Sequence, residues 1–214
     1  MYNIQQLVLG ELSSNCYIVS NPIRKTALII DPVDSPEYIG EKLVSMGLTP
    51  LAMIATHGHF DHVLGAFGLE VLFSNLPFYI HKKDMFLLTR MQKTALYFSK
   101  NRAVPPSPQN VLDIAKFDRS MLGGERLEIL DLKGHTPGSI GVYLPLTRAV
   151  FVGDLLFADG SVGRTDHEYS DTQELKKSIG KILRLPKKVK IYSGHGETTL
   201  VEDVFDVLEY TYKT

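Results

Sequence analysis

Three imidazoles and a carboxylate fall within six residues of this chain, at His57, His59, Asp61 and His62, interrupted only by Gly58 and Phe60. Such a cluster is a poor way to build a core, because unpaired polar groups are costly to bury and His and Asp are weak strand formers. It is a good way to build a metal site: neutral imidazole and carboxylate suit zinc and other borderline divalent ions. The cluster follows an unbroken apolar run, Leu51–Ala55, with the length and branching of a buried strand, and then Thr56. A turn at a strand end lets alternate residues aim into one cavity, so the stretch is read as a metal loop rather than as a solvated turn.

Three further places repeat the pattern. His135, Asp154 and His195 each follow a short β-rich apolar run, and each has glycine close by: Gly134 and Gly138, Gly153, and Gly194 and Gly196. Glycine permits the tight turn and close backbone approach that a metal loop needs. Functional groups in layered α/β proteins gather where strand ends meet. Of the seven histidines, five (His57, His59, His62, His135 and His195) occupy such positions, which chance would rarely arrange.

The elements that must carry these residues follow from the apolar pattern. Ile4–Leu9, Cys16–Ser20 and Thr26–Ile30 read as strands. Ser35-Pro36-Glu37 reads as an N-cap opening a helix through Tyr38, Ile39, Leu43, Val44 and Met46 to a stop at Gly47. Val63 to Phe73 suggests one mostly buried helix closing the metal loop. Pro77–His81 is a strand, and Lys82–Lys100 a long helix. Asn101–Asn110, with Pro105, Pro106 and Pro108, is either a tether or a wall of a substrate cleft. Arg126–Leu132, Ile140–Leu144, Ala149–Val152 and Val189–Tyr192 are strands, Thr172–Leu185 is an amphipathic helix, and a last helix starts near Val201. His81 ends a strand as the ligand candidates do but stands apart from their pattern, and Cys16 reads as a small buried hydrophobe.

The spacing His57-Gly-His59-Phe-Asp61-His62 resembles the HxHxDH signature of the metallo-β-lactamase superfamily. Gly134-His135-Thr136-Pro137-Gly138, Gly153-Asp154 and Gly194-His195-Gly196 resemble that superfamily's later motifs, in the same order. The resemblance implies an α/β fold (α+β in some schemes), a four-layer αββα sandwich of two mixed sheets with outer helices. It implies two divalent ions, zinc first, with iron or manganese as alternatives. His57, His59 and His135 would hold one ion and Asp61, His62 and His195 the other, with Asp154 as the bridge. Asp61 and Asp154 would thus serve catalysis as well as binding. Two such ions lower the pKa of a shared water and polarise a scissile carbonyl.

Gly160-Ser-Val-Gly163-Arg164-Thr165-Asp166 is similar to a segment of bacterial glyoxalase II-like proteins and of persulfide dioxygenases. The first likeness implies hydrolysis of a thioester, with Arg164 gripping a substrate carboxylate; an Arg164–Asp166 surface pair is the plain alternative. After His195 there is room for about one helix, without the C-terminal helical extension of full-length glyoxalase II, so glutathione specificity is not implied. The second likeness implies one iron on His57, His135 and Asp154. Another ester or lactone hydrolase of the superfamily is the third reading.

The bulk figures agree with a small-molecule enzyme. The 214 residues fit one layered domain, residues 1–214, and 44% apolar with 22% charged residues is ordinary for a soluble globular chain. A formal net charge of −1 makes no electrostatic case for nucleic acid or an anionic membrane. A single cysteine allows no intrachain disulfide, and the N-terminal stretch shows no basic region followed by an apolar one, so the expected location is the cytoplasm.

Overall fold

A computed structural model describes residues 2–98 and 103–205. Its first sheet contains β1 (Asn3–Leu9), β2 (Ser14–Asn21), β3 (Thr26–Ile30), β4 (Thr49–Ile54), β5 (Phe78–Ile80) and β6 (Val111–Asp113), in that spatial order. β1, β2 and β3 pair antiparallel, and β3 to β6 run parallel. The second sheet has the order β11 (Thr199–Leu200), β10 (Lys190–Ser193), β9 (Ala149–Gly153), β8 (Ile140–Leu144), β7 (Glu128–Asp131), and only β9 and β10 are parallel. The helices are α1 (Pro36–Ser45), α2 (Phe60–Val63), α3 (Ala66–Leu72), α4 (Met85–Phe98) and α5 (Thr172–Leu183).

Alternation along the strands builds three apolar layers. Tyr17, Val19, Leu28, Ile30 and Ile54 face Val142, Leu144 and Phe151 of the other sheet. Their neighbours Cys16, Ile18, Ile29 and Met53 point the other way, onto Ile39 and Leu43 of α1, Leu69 of α3 and Met91 of α4. Val150, Val152 and Ile191 pack outward on Leu175 and Ile182 of α5. Period-two burial on both faces of both sheets gives the expected αββα sandwich. Each fully buried aliphatic side chain contributes roughly 1.5–3 kcal/mol, so these layers hold the strand ends that carry the site.

Several local expectations are corrected. Ser35 stands at the N-cap of α1 in the left-handed region, φ 65°, and its side chain makes no cap bond. The helix expected after His62 is two helices, broken where Gly65 N–H donates to Pro32 O, and Val71 and Leu72 are 65% and 51% exposed rather than buried. A 3₁₀ turn, Lys82–Asp84, precedes α4; the expected end of that helix at Lys100 lies outside the described residues, and of the last helix expected from Val201 only residues 201–205, which are helical, are described. β6 and β11 were not foreseen, being three and two residues long. The described part of the Pro-rich segment is tied down: buried Glu70 of α3 accepts from Gln109 N–H (2.7 Å) and Asn110 N–H (2.9 Å), and Ser107 donates to Leu88 O (2.8 Å).

Candidate metal centre

Four loops meet at one edge of the sandwich. Parallel neighbours β9 and β10 deliver Asp154 and His195, β4 delivers His57 and α2, and β7 delivers His135. The two sheets are stitched at this edge by Asn15 N–H to Gly194 O (2.7 Å) and Ile140 N–H to Thr56 O (2.8 Å), while Gly194 N–H to Gly153 O (2.8 Å) ties the ends of β9 and β10 together. Gly153 has φ 55°, and a Cβ there would overlap Thr56 Oγ1; at Gly194 it would overlap Asp154 Oδ1 and lie 2.7 Å from His62 Cε1. Both positions therefore require glycine.

The hydrogen bonds on the outer ring nitrogens set the tautomers. Thr56 Oγ1–H donates to Asp31 Oδ2 (2.7 Å), so the same oxygen accepts from His57 Nδ1–H (3.1 Å). His62 Nδ1–H donates to Asp31 Oδ2 (3.2 Å), His135 Nδ1–H to Arg164 O (2.8 Å) and His195 Nδ1–H to Leu12 O (3.2 Å). Each of these four imidazoles then directs its Nε2 inward. His59 is turned the other way: its Nε2 meets Tyr169 Oη at 2.9 Å, and its Nδ1 faces His57 Nε2 (3.1 Å) and His135 Nε2 (2.9 Å). Oriented imidazoles whose far nitrogen is held by a protein acceptor are the usual supporting arrangement of a metal ligand.

Two carboxylates complete the ring. Asp61 Oδ2 lies 3.3 Å from His62 Nε2 and 3.4 Å from His195 Nε2, and it accepts from Ser14 Oγ–H (2.8 Å). Asp154 Oδ1 lies 3.4 Å from His62 Nε2, while Oδ2 is 3.6, 3.7 and 4.0 Å from the Nε2 atoms of His195, His135 and His57. Buried Asp154 Oδ1 has no hydrogen-bond partner among the described residues. Such an orphaned acceptor calls for a cation.

The electrostatics state the same demand. Burial opposes ionisation of Asp154 and Asp61, yet the facing imidazoles of His62 and His195 hold Asp154 well below the ordinary carboxylate range and Asp61 at about 2. Burial disfavours charge on His195, but Asp154 and Asp61 push it up to about 9, and the same carboxylates raise His62. On the other side burial, reinforced by neighbouring imidazoles, lowers His57 and holds His59 down to about 3; burial lowers His135 as well. Neutral histidines on one side, anionic carboxylates between and proton-seeking histidines on the other make a cavity for positive charge.

The donor spacing suits two small ions. Ligand atoms about 2.0–2.2 Å from a tetrahedral ion lie about 3.3–3.6 Å from one another. The Asp61, His62 and His195 set, with His62 and His195 nitrogens 3.3 Å apart, falls in that range; the His57, His59 and His135 set is slightly contracted. All seven expected ligand residues are brought together. Asp31 also lies close to His57 and His62, but its oxygens accept from Thr56 N–H (2.6 Å), Thr56 Oγ1–H and His62 Nδ1–H, which makes it a buttress. His81 is turned back on its own chain, accepting Lys83 N–H at 3.2 Å. Arg164 reaches the centre through its carbonyl, and its guanidinium pairs with Asp166 at 2.6 and 3.0 Å in the open.

The supports around the ligands were not foreseen: Asp31, Ser14, Tyr169 and above all Asp84. Fully buried, Asp84 accepts from Gly58 N–H (2.9 Å), Thr136 Oγ1–H (2.6 Å) and Gly138 N–H (2.7 Å), joining the His57–His59 loop to the His135 loop. Burial pushes its carboxyl above the ordinary range, against the pull of those three donors. Asp31 carries the signal that revealed Asp154, a carboxylate just past an apolar run; Asp84, behind two lysines, carries none.

Two facing mixed sheets, outer helices and a His/Asp edge of this composition define a metallohydrolase sandwich. The chain belongs to the metallo-beta-lactamase superfamily, whose sequence model matches residues 9–195. It is 33% identical over 210 residues to the hydroxyacylglutathione hydrolase GloC of Haemophilus influenzae, across 93% of each chain. Its fold matches the crystal structure of TTHA1623 in a di-iron-bound form, with TM-score 0.81, 35% identity and 96% of each chain covered. It likewise matches the BLEG-1 B3 metallo-beta-lactamase, with TM-score 0.84, 30% identity, and 98% of this chain and 100% of that one covered. No described helix is long and apolar enough to cross a membrane.

Proposed function

We propose that this protein is a metal-dependent hydrolase that cleaves a small thioester at a two-ion centre. The carrying observation is the convergence of five imidazoles, four with the outer nitrogen committed to a protein acceptor, on two carboxylates, one of which, Asp154, has a buried oxygen with no hydrogen-bond partner among the described residues. His57, His59 and His135 would hold one divalent ion and Asp61, His62 and His195 the other, with Asp154 shared. When bound, the ions supply an activated water and a Lewis acid for the carbonyl. Asp31, Arg164 O and Leu12 O keep the imidazoles aimed, Ser14 orients Asp61, and Asp84 keeps the two histidine loops in register. Asp61 and Asp154 supply the negative charge that retains the ions. The likeness to a relative named hydroxyacylglutathione hydrolase supports the thioester.

Zinc is the first choice of metal. The di-iron relative supports iron as well, and with it the second reading, a persulfide dioxygenase with one iron on His57, His135 and Asp154. Arg164 would grip a substrate carboxylate after releasing Asp166, an exchange that its exposure permits. The test is to load the protein separately with Zn²⁺ and Fe²⁺, then measure thioester cleavage and persulfide-dependent O₂ uptake side by side. Thioester turnover that His62→Ala abolishes is the expected result. O₂ uptake with iron alone, surviving His62→Ala, with negligible thioester turnover, would install the second reading.

A further inference from the structure

Two of the five ligand imidazoles rest on a hydroxyl rather than on a carbonyl or carboxylate, and the two hydroxyls differ. Thr56 Oγ1 receives His57 Nδ1–H and passes its own hydrogen to Asp31 Oδ2 at 2.7 Å. Tyr169 Oη lies 2.9 Å from His59 Nε2 and has no other hydrogen-bond partner among the described residues. His59 is also the one imidazole of the five that turns Nδ1 to the centre, where it faces Nε2 of His57 and of His135. A neutral imidazole whose Nδ1 offers its lone pair to an ion carries its hydrogen on Nε2. Tyr169 Oη then accepts from His59 Nε2–H, and the phenol hydrogen is left to be donated elsewhere.

The oxygen that carries this hydrogen is held in place. The Tyr169 ring stacks on His167, with centroids 5.0 Å apart and an interplanar angle of 14°, and Phe86 meets it edge to face at 5.3 Å. The next two residues are tied to the His135 loop: Ser170 Oγ–H donates to His135 O (2.8 Å) and Asp171 N–H to Gly134 O (2.8 Å). Tyr169 is half-buried, and its oxygen is one imidazole ring away from the point where three ligand nitrogens converge. We propose that Tyr169 is a catalytic residue: it accepts from His59 and donates its own O–H to the negative charge that forms on the substrate. Hydrolysis of a thioester adds water across the C–S bond: a C–O bond forms, and the C–S bond breaks with its electron pair going to sulfur. Tyr169 keeps its proton throughout and contributes one hydrogen bond, stronger to the developing anion than to the neutral thioester. The identity of the reacting bond rests on the proposed function; the donation by Tyr169 rests on His59 Nδ1 facing an ion.

The test is Tyr169→Phe, which removes the oxygen and keeps the ring in its stack. Wild type and variant are compared at a Zn²⁺ concentration that elemental analysis shows to fill both sites of each. Under those conditions kcat for a thioester should fall roughly 100-fold, with KM nearly unchanged. Acetohydroxamate, an uncleavable oxyanion probe titrated by calorimetry, should bind the variant about tenfold more weakly. Were Tyr169 only a prop for His59, its loss would act through metal affinity, and saturating Zn²⁺ would restore both readouts. Wild-type kcat or wild-type acetohydroxamate affinity in the Zn²⁺-saturated variant, or a loss confined to KM, would overturn the assignment. A weakened probe in a protein whose wild type cleaves no thioester would support Tyr169 and sink the thioester reading.

Discussion

Replacing Asp84 tests whether the centre is held in shape from outside. In Asp84→Asn the side chain keeps its volume but offers one acceptor oxygen where three donors converge. With that oxygen toward Gly58 N–H and Thr136, the amide nitrogen faces Gly138 N–H, donor against donor. Thr136 can fall back on Ser139 Oγ, 2.7 Å away, but the buried Gly138 N–H has no such alternative in the loop. Stranding one buried donor costs about 1–3 kcal/mol, and the lost hydrogen bonds to a carboxylate add a similar amount. Some of this returns because a neutral amide is easier to bury than a carboxylate. The net expectation is about 2–4 kcal/mol, which lowers Tm by roughly 5–15 °C in a chain of this size.

The diagnostic readout is metal binding. Asp84 bridges the loops of His57, His59 and His135 and touches neither His62 nor His195, so the loss should fall on one ion. Chelator competition should show one site weakened about 10–100-fold, as for other supports of metal ligands, and the other nearly unchanged. Asp84→Glu, which restores the charge at the wrong reach, should recover less affinity than stability. Equal weakening of both sites would make Asp84 a general fold determinant. Two wild-type affinities in Asp84→Asn would refute the reasoning outright.

Elemental analysis of purified, reconstituted protein should find close to two divalent ions per chain, falling to about one in His62→Ala or His195→Ala; no bound metal with Zn²⁺, Mn²⁺ or Fe²⁺ would remove the proposed centre. Arg164→Ala should raise KM for an anionic thioester by roughly tenfold and leave an uncharged one nearly unaffected, and equal effects on both would reduce Arg164 to its pair with Asp166. Gly194→Ala should cost metal content more than it costs secondary structure by circular dichroism, because its Cβ would displace Asp154 Oδ1. In metal-stripped protein His195 sits at about 9, above its unfolded value near 6.5, so its contribution to stability is full below about pH 6.5 and lost as pH rises through 9. Thermal melts should therefore weaken over that window, and metal uptake at pH 7 should release protons measurable in weakly buffered solution; a flat profile and no release would contradict the raised His195.

What could be read from the chain and what could not divide along one physical line. His57, His135, Asp154 and His195 were legible because each sits where a β-rich apolar run stops, and an ionisable group there has few bland explanations. The layers were legible only through the resemblance: β2, β3 and β4 are apolar on both faces, so that Tyr17 points inward and Ile18 outward is not written in their residue types. Ser35 was misread because the N-cap rule describes a side chain, whereas here the backbone enters the left-handed region before α1. The break at Gly65 was missed because its cause, Pro32 O, lies on another segment. β6 and β11 are too short to show any period.

The same line separates the ligands from their supports. A ligand must be an imidazole or a carboxylate, so its residue type advertises it. A support needs only to accept a proton at the right place, and a backbone carbonyl serves as well as a side chain, as Leu12 O and Arg164 O show. Arg164 carries both lessons at once: its side chain drew attention as a substrate grip, while the contact it makes with the centre is through its carbonyl, the one group every residue has. The orientation of His135 thus depends on where the chain passes at residue 164 more than on which residue stands there. Sequence can name the donors of such a centre, but the direction in which each donor points is a property of the assembled backbone.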